Sequence, residues 1–119
     1  MDLAAFYKLT YGLYIVSSSA EGLDAGCIVN TVTQVTAEPP KVSVAVNKDN
    51  TTAKVIQKAG AFAVTALTQS ADSKLIGTFG FRSSQEEDKF QNFHTERDQA
   101  GMPYVTDWAA ARFSCKVIQ

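Results

Sequence analysis

Apolar and polar positions along this chain fall mostly into short blocks, several with the two-residue period of a strand. Leu13 to Ser19 is rich in β-branched and aromatic residues and reads as a strand. Glu21-Gly22-Leu23-Asp24 supplies turn chemistry. Gly26 to Thr36 is again β-prone, but its alternation slips phase: Ile28 and Val32 fall on one parity, Val29 and Val35 on the other. A bend or bulge near Asn30 explains the slip. Pro39-Pro40 ends that segment, since consecutive prolines do not sit in a central ladder. From Lys41 to Asn47 the alternation is clean. Val42, Val44 and Val46 share one face, and Ser43, Ala45 and Asn47 the other, so one face is bulky and the other leaves space. Phe62 to Leu67 is a further strand, and Trp108 to Gln119 alternates as the last one. There Ala109, Ala111, Phe113, Cys115 and Val117 oppose Arg112, Ser114 and Lys116.

Helical signals are shorter and lie between the strands. Asp2 can cap a helix carrying Leu3, Phe6 and Tyr7 on one face. Asn50 or Thr51 can cap a second helix running to about Lys58 and stopping at Gly60. Ser70 can cap a third, carrying Leu75, Ile76 and Phe79, with Gly80 as its interruption and Phe81-Arg82-Ser83-Ser84 as a loop. Gln85 to Phe93 is charged and reads as partly helical; Gly101-Met102-Pro103 is a turn. The pattern is mainly β with short helices, in a single domain over 1–119.

Composition narrows the function. A formal charge of -1 leaves no basic surplus for nucleic acid. No apolar run approaches the roughly 20 residues that cross a bilayer. Met1-Asp2-Leu3 lacks the basic region and apolar stretch of a signal peptide. Cys27 and Cys115 are far apart, and with His94 as the one histidine they do not make a metal set. They read as buried reduced thiols of a cytoplasmic protein.

Standard catalytic constellations are missing from the sequence. His94, in a charged stretch, reads as a solvated histidine ahead of a catalytic base. Glu86, Glu87 and Asp88 are consecutive and do not share a helical face. There is no GxGxxG, P-loop or GxSxG. Three other features stand out. Asn30-Thr31-Val32-Thr33 places polar side chains in a β-prone apolar segment; a ligand or the backbone at a bulge can satisfy them. Asn47-Lys48-Asp49-Asn50-Thr51-Thr52 combines a cation, hydroxyls and a helix start, which suits a phosphate as well as an ordinary cap. Gly77-Thr78-Phe79-Gly80-Phe81-Arg82 can flank a flat ring or pack in the core. Together they suggest a flat, phosphorylated ligand.

The ordered set of these segments resembles the flavin-reductase-like family. The resemblance is carried by Tyr11 to Ser17 (YGLYIVS), Gly26 to Pro40 (GCIVNTVTQVTAEPP), Val44 to Thr52 (VAVNKDNTT), Gly60 to Val64 (GAFAV), Ile76 to Ser84 (IGTFGFRSS), Asp88-Lys89-Phe90 and Gly101-Met102-Pro103. It spans nearly the whole chain. The Tyr-Gly-Leu-Tyr opening and the Phe-Gly-Phe-Arg-Ser-Ser loop are most similar to the subgroup fused to rubredoxin or acting as flavoredoxins.

That resemblance implies an FMN-binding split β-barrel, FMN ahead of FAD, working as a homodimer with the flavin near the subunit interface. It implies that Asn30, Thr31 and Thr33 meet the ribityl chain, phosphate or ring edge. Asn47, Lys48, Thr51 and Thr52 gather at the phosphate, and Phe81 and Arg82 lie near the flavin. NAD(P)H or a rubredoxin-like protein would be the electron donor. Family members continue past the last strand into a Gly-Thr/Asp-His segment that this sequence lacks, so the C-terminal part of the family domain is expected to be absent. Two rival readings remain at this stage: a non-catalytic flavin-binding electron-transfer module, and a structural barrel without flavin.

Overall fold

Five consecutive residues, Tyr14 to Ser18, are buried, which a strand achieves only when both of its faces are covered. They belong to β1 (Tyr14–Ala20), the first strand of a computed structural model that describes residues 13–30, 32–37, 40–68, 71, 73–81 and 88–118. β1 pairs antiparallel with β2 (Leu23–Val29) on one side and with β5 (Ala61–Leu67) on the other. β8 (Ala109–Lys116) pairs with β5, giving a sheet of order β2-β1-β5-β8. Two hairpins flank it: β3 (Val32–Ala37) with β4 (Pro40–Val44), and β6 (Thr95–Arg97) with β7 (Pro103–Val105).

Alternation along β1 sends its side chains into two cores. Tyr14 and Val16 join Val32 and Val64 on one face, where Val44, Val46 and Ile56 pack against them. Ile15 joins Leu75, Phe79, Phe90 and Val105 on the other, with Ile28, Phe93 and Trp108 around them. Helix α1 (Thr51–Ala59) therefore covers the first face through Ile56, and helix α2 (Ser73–Phe81) the second through Leu75 and Phe79. Burying a side chain such as Phe79 contributes about 1.5–3 kcal/mol. Phe79 meets Phe90 edge-on, with ring centroids 5.0 Å apart.

Several boundaries differ from the sequence expectation. The turn after β1 is only Glu21-Gly22, and Leu23 and Asp24 are already in β2. The Gly26–Thr36 segment divides at Asn30 into β2 and β3, and the expected bulge lies between Gln34 and Thr36. Pro40 opens β4 opposite Ala37, a first-residue position that costs no ladder bond. The strand expected through Asn47 stops at Val44, because the Asn47 carbonyl turns away to accept Asn50 N–H at 2.9 Å.

Gly80 does not interrupt α2, which runs through to Phe81. A Cβ there would meet Ile28 Cγ1 at an ordinary 3.6 Å, so β2 borders this turn of helix without demanding a glycine. Asp88 to Phe93 forms turns rather than helix. Lys89 and Phe90 are consecutive and both buried, which one helical face does not allow. Trp108 lies outside β8 at a left-handed φ of 57°. The expected helix near Leu3, Phe6 and Tyr7, the Ser70 cap, and residues 82–87 fall outside the described residues.

Candidate functional site

The most chemically distinctive feature is the start of α1. β4 leads through Ala45 and Val46 into the turn Asn47-Lys48-Asp49-Asn50. Asn47 Oδ1 accepts Asp49 N–H at 3.0 Å, which fixes the turn. Asn50, in extended conformation, caps the helix by accepting Thr52 N–H at 2.8 Å. The Asn50 carbonyl accepts Ala53 N–H at 3.1 Å. These bonds leave the Thr51 amide for a ligand. The first turn carries no acidic residue, and Lys48 stands exposed beside it. A helix start of this kind favours an anion.

Thr52 is fully buried, and its hydroxyl has no hydrogen-bond partner among the described residues. The Cys27 thiol lies beneath it, close enough for the hydroxyl to donate to the thiolate form. Burial pushes that thiol's pKa up, against the opposing pull of Thr52 and of the Lys89 charge. What a phosphate-bearing cofactor would meet here is the open helix start, with the Thr51 amide and the exposed Lys48 beside it. The residues present therefore fit such a group.

Of the Asn30 group, Val32 faces α1 and Thr33 lies on the opposite face of the β3–β4 hairpin. Val32 packs with Val44, Val46 and Ile56, so the β3–β4 hairpin leans on α1. Thr33, exposed, pairs with Ser43 of β4, the strand that feeds the α1 turn. Asn30 is exposed at the β2–β3 junction. Thr31 and Arg82 lie outside the described residues. Phe81 ends α2 on the opposite face of the sheet, so its backbone is no part of the α1 cradle.

Three arrangements escaped sequence reading. Lys89 is buried and donates to the carbonyls of Gly26 and Phe79 at 2.7 and 3.2 Å. Arg97 makes a bidentate pair with Asp24 at 3.1 and 2.7 Å. Burial opposes the Asp24 charge, but the bonds from Arg97 and Ser19 hold its carboxyl below the usual range. His94, 86% exposed, holds Asp107 through both its backbone N–H and Nδ1, at 2.9 and 2.8 Å. None of these carries a local motif, because each partner is at least 13 residues away or is a backbone carbonyl. No group of three or more metal-ligating side chains occurs among the described residues.

Comparison with known proteins identifies the family and the fold. The model of the flavin reductase like domain matches residues 6–119. A ferric-chelate reductase (NAD(P)H) of Archaeoglobus fulgidus is 42% identical over 119 residues, all of this chain and 70% of the relative. A high molecular weight rubredoxin of Moorella thermoacetica is 37% identical over 119 residues, all of this chain but 52% of the relative. An FMN-binding domain of a flavin reductases-like enzyme from Shewanella baltica superposes with a TM-score of 0.81 at 24% identity. That match covers 100% of this chain and 64% of the solved one, and establishes a shared fold.

Proposed function

Since the chain belongs to the flavin reductase like domain family, we propose that it is an FMN-binding oxidoreductase whose phosphate cradle is the start of α1. The observation that carries this reading is the open start of α1, where the Asn50 cap leaves the Thr51 amide beside the exposed Lys48 and the first turn holds no acidic residue. Lys48 supplies charge to the phosphate, and the Thr51 amide and hydroxyl donate to it. Asn30, Thr31 and Thr33 are assigned to the ribityl chain or ring edge, and Phe81 and Arg82 to the flavin away from the phosphate cradle.

When bound, the flavin supplies the redox chemistry and can take a hydride or single electrons. The chain's own residues bind and orient it and exclude water. No side chain needs to act as nucleophile or general acid. NAD(P)H is the proposed donor, the chain works as a homodimer in the cytoplasm, and the acceptor is a small molecule or protein. The ferric-chelate reductase relative supports the NAD(P)H-linked reading.

A second reading, an electron-transfer module fed by a rubredoxin-like protein, is favoured by the Moorella relative. Absorption spectra before and after FMN addition and gel filtration test the cofactor. Retained flavin bands that bleach with NADH support the reductase; retained bands that respond only to a reduced rubredoxin support the module. A protein that retains no flavin overturns both.

A further inference from the structure

Two non-glycine residues among those described have left-handed backbone, Glu21 and Trp108. Glu21 and Gly22 form the two-residue turn between β1 and β2, where a positive φ at both positions is the ordinary geometry. Trp108 has no such reason. It is the third residue of a turn between β7 and β8, closed by Ala109 N–H donating to the Thr106 carbonyl at 3.4 Å. Glycine or asparagine ordinarily fills that position when φ is positive. A bulky side chain there crowds its own backbone.

Such a conformation persists where its surroundings over-determine it. Downstream, the Trp108 carbonyl accepts Thr68 N–H at 2.8 Å, and the ring packs on the layer of Ile15, Leu75, Phe79, Phe90 and Val105. β8 then enters its ladder through a bulge: Ala109 faces Leu67, but Ala111 faces Ala66. Upstream, one residue does the holding. The His94 carbonyl accepts Thr106 N–H at 2.8 Å and the Thr106 hydroxyl at 3.3 Å. Its own N–H donates to Asp107 Oδ2 at 2.9 Å, and its Nδ1 lies 2.8 Å from Asp107 Oδ1.

Of these contacts only the one from the ring changes with pH near neutrality. The ring is 86% exposed, so protons reach it freely. The other ionisable groups of the adjoining elements are Asp88 and Lys89 before it, Glu96 and Arg97 on β6, and Tyr104 on β7. Arg97 is taken up by Asp24, and Lys89 by the Gly26 and Phe79 carbonyls. Among the described residues, Asp107 is the group whose charge bears on His94.

We propose that His94 and Asp107 form a pH-sensitive clasp on the β7–β8 turn. With His94 protonated the clasp is shut, and Trp108 is held in its left-handed seat. When the imidazole loses its proton, Asp107 loses its cationic partner. The backbone bonds then carry the strained turn, and it opens more often. A neutral imidazole can keep its Nδ1–H on the carboxylate, so the clasp loosens rather than breaks. The device is independent of the flavin cradle.

Amide hydrogen exchange of the purified chain, followed by NMR, tests this. The Thr68 amide reports the turn, because its partner is the Trp108 carbonyl. The Ile15 amide, in the fully buried strand, reports the core. Each rate is divided by the intrinsic exchange rate at the same pH. Between about pH 5.5 and about pH 8.5, on either side of the imidazole range, opening at Thr68 is expected to rise about 1.5- to 5-fold, the scale of an exposed ion pair. Ile15 should change less, and the midpoint should match the proton NMR titration of His94. In His94→Gln and Asp107→Asn the rise at Thr68 should vanish. Three results overturn the proposal: no rise at Thr68 in the wild type, the same rise in His94→Gln, or an equal rise at Ile15, which would place the effect in global stability.

Discussion

The Lys89 ammonium is buried and donates to the Gly26 carbonyl 2.7 Å away, across 63 residues of chain. The same nitrogen donates to the Phe79 carbonyl and lies 5.8 Å from the Phe79 ring centroid. One side chain therefore ties β2, the last turn of α2 and the loop that follows it. Replacing Lys89 by Met keeps the aliphatic stem but leaves two buried carbonyls short of a donor. We expect Lys89→Met to lower unfolding free energy by about 2–3 kcal/mol, measured by urea denaturation. A loss below about 0.5 kcal/mol would show that water replaces the ammonium.

Gly26 is required by close packing rather than by its backbone angles. A Cβ there would lie 2.8 Å from Phe79 Cε1 and 3.2 Å from Phe90 Cζ. Gly26→Ala should cost about 1–3 kcal/mol by overpacking. Combined with Phe79→Leu, the cost should be less than the sum of the two single changes, because the smaller side chain yields the space. Strict additivity in the double-mutant cycle would contradict this account.

Thr52 separates stability from binding. Thr52→Val removes a buried hydroxyl that has no partner, so the flavin-free protein should become more stable by up to about 1 kcal/mol. FMN retention should fall at the same time if the hydroxyl serves the phosphate. Paired thermal melts and flavin titrations read both. Unchanged flavin affinity would remove Thr52 from the cradle and leave Lys48 and Thr51 to carry it.

Asn50→Ala tests the cap itself. Losing the bond to Thr52 N–H should cost about 1 kcal/mol. Asn50→Asp keeps the acceptor and adds favourable charge at the helix start, so it should preserve stability while repelling a phosphate. A drop in flavin affinity with an undiminished melting temperature is the expected signature.

The His94–Asp107 pair predicts a pH dependence with a defined sign. The side-chain hydrogen bond from His94, then its backbone N–H, hold the Asp107 carboxyl below the usual range, and Asp107 raises the imidazole pKa in return. The raised His94 pKa contributes stability that is complete below the ordinary imidazole value, about 6.5. That contribution is lost as pH rises through the folded value. The depressed Asp107 pKa contributes above about 3.9 and is lost as pH falls through its own folded value. The stability difference between wild type and Asp107→Asn should therefore peak between about pH 4 and pH 6.5. The backbone bond from His94 N–H remains at higher pH. Proton NMR titration of the single histidine checks the direction, and an unshifted His94 would refute the coupling.

Much of the fold was legible because it rests on local signals. Asn50 as cap and Gly60 as stop were visible in residue type alone, and Gly60 takes the left-handed φ of 72° that such a stop requires. The slip in alternation at Asn30 marked a real junction between strands. Gly80 does not stop α2 because its helical cost, about 1 kcal/mol, is outweighed by the burial of Leu75 and Phe79 on the same helix. The two-sided burial of β1 was hidden by its serines. Ser17 and Ser18 look polar but are buried and satisfied, donating to the Pro103 and Ala61 carbonyls. The α1 turn of the site could be read from its residues. Its dependence on Cys27 beneath and on β3–β4 alongside could not, since those contacts join distant segments.

The position of β1 between the two cores also determines how the molecule comes apart. Tyr14 and Val16 belong to the layer under α1, and Ile15 to the layer under α2. Both layers pack against β1, so neither survives its departure. The cradle and the aromatic layer around Trp108 thus share one cooperative unit, and the single tryptophan reports the melting of both.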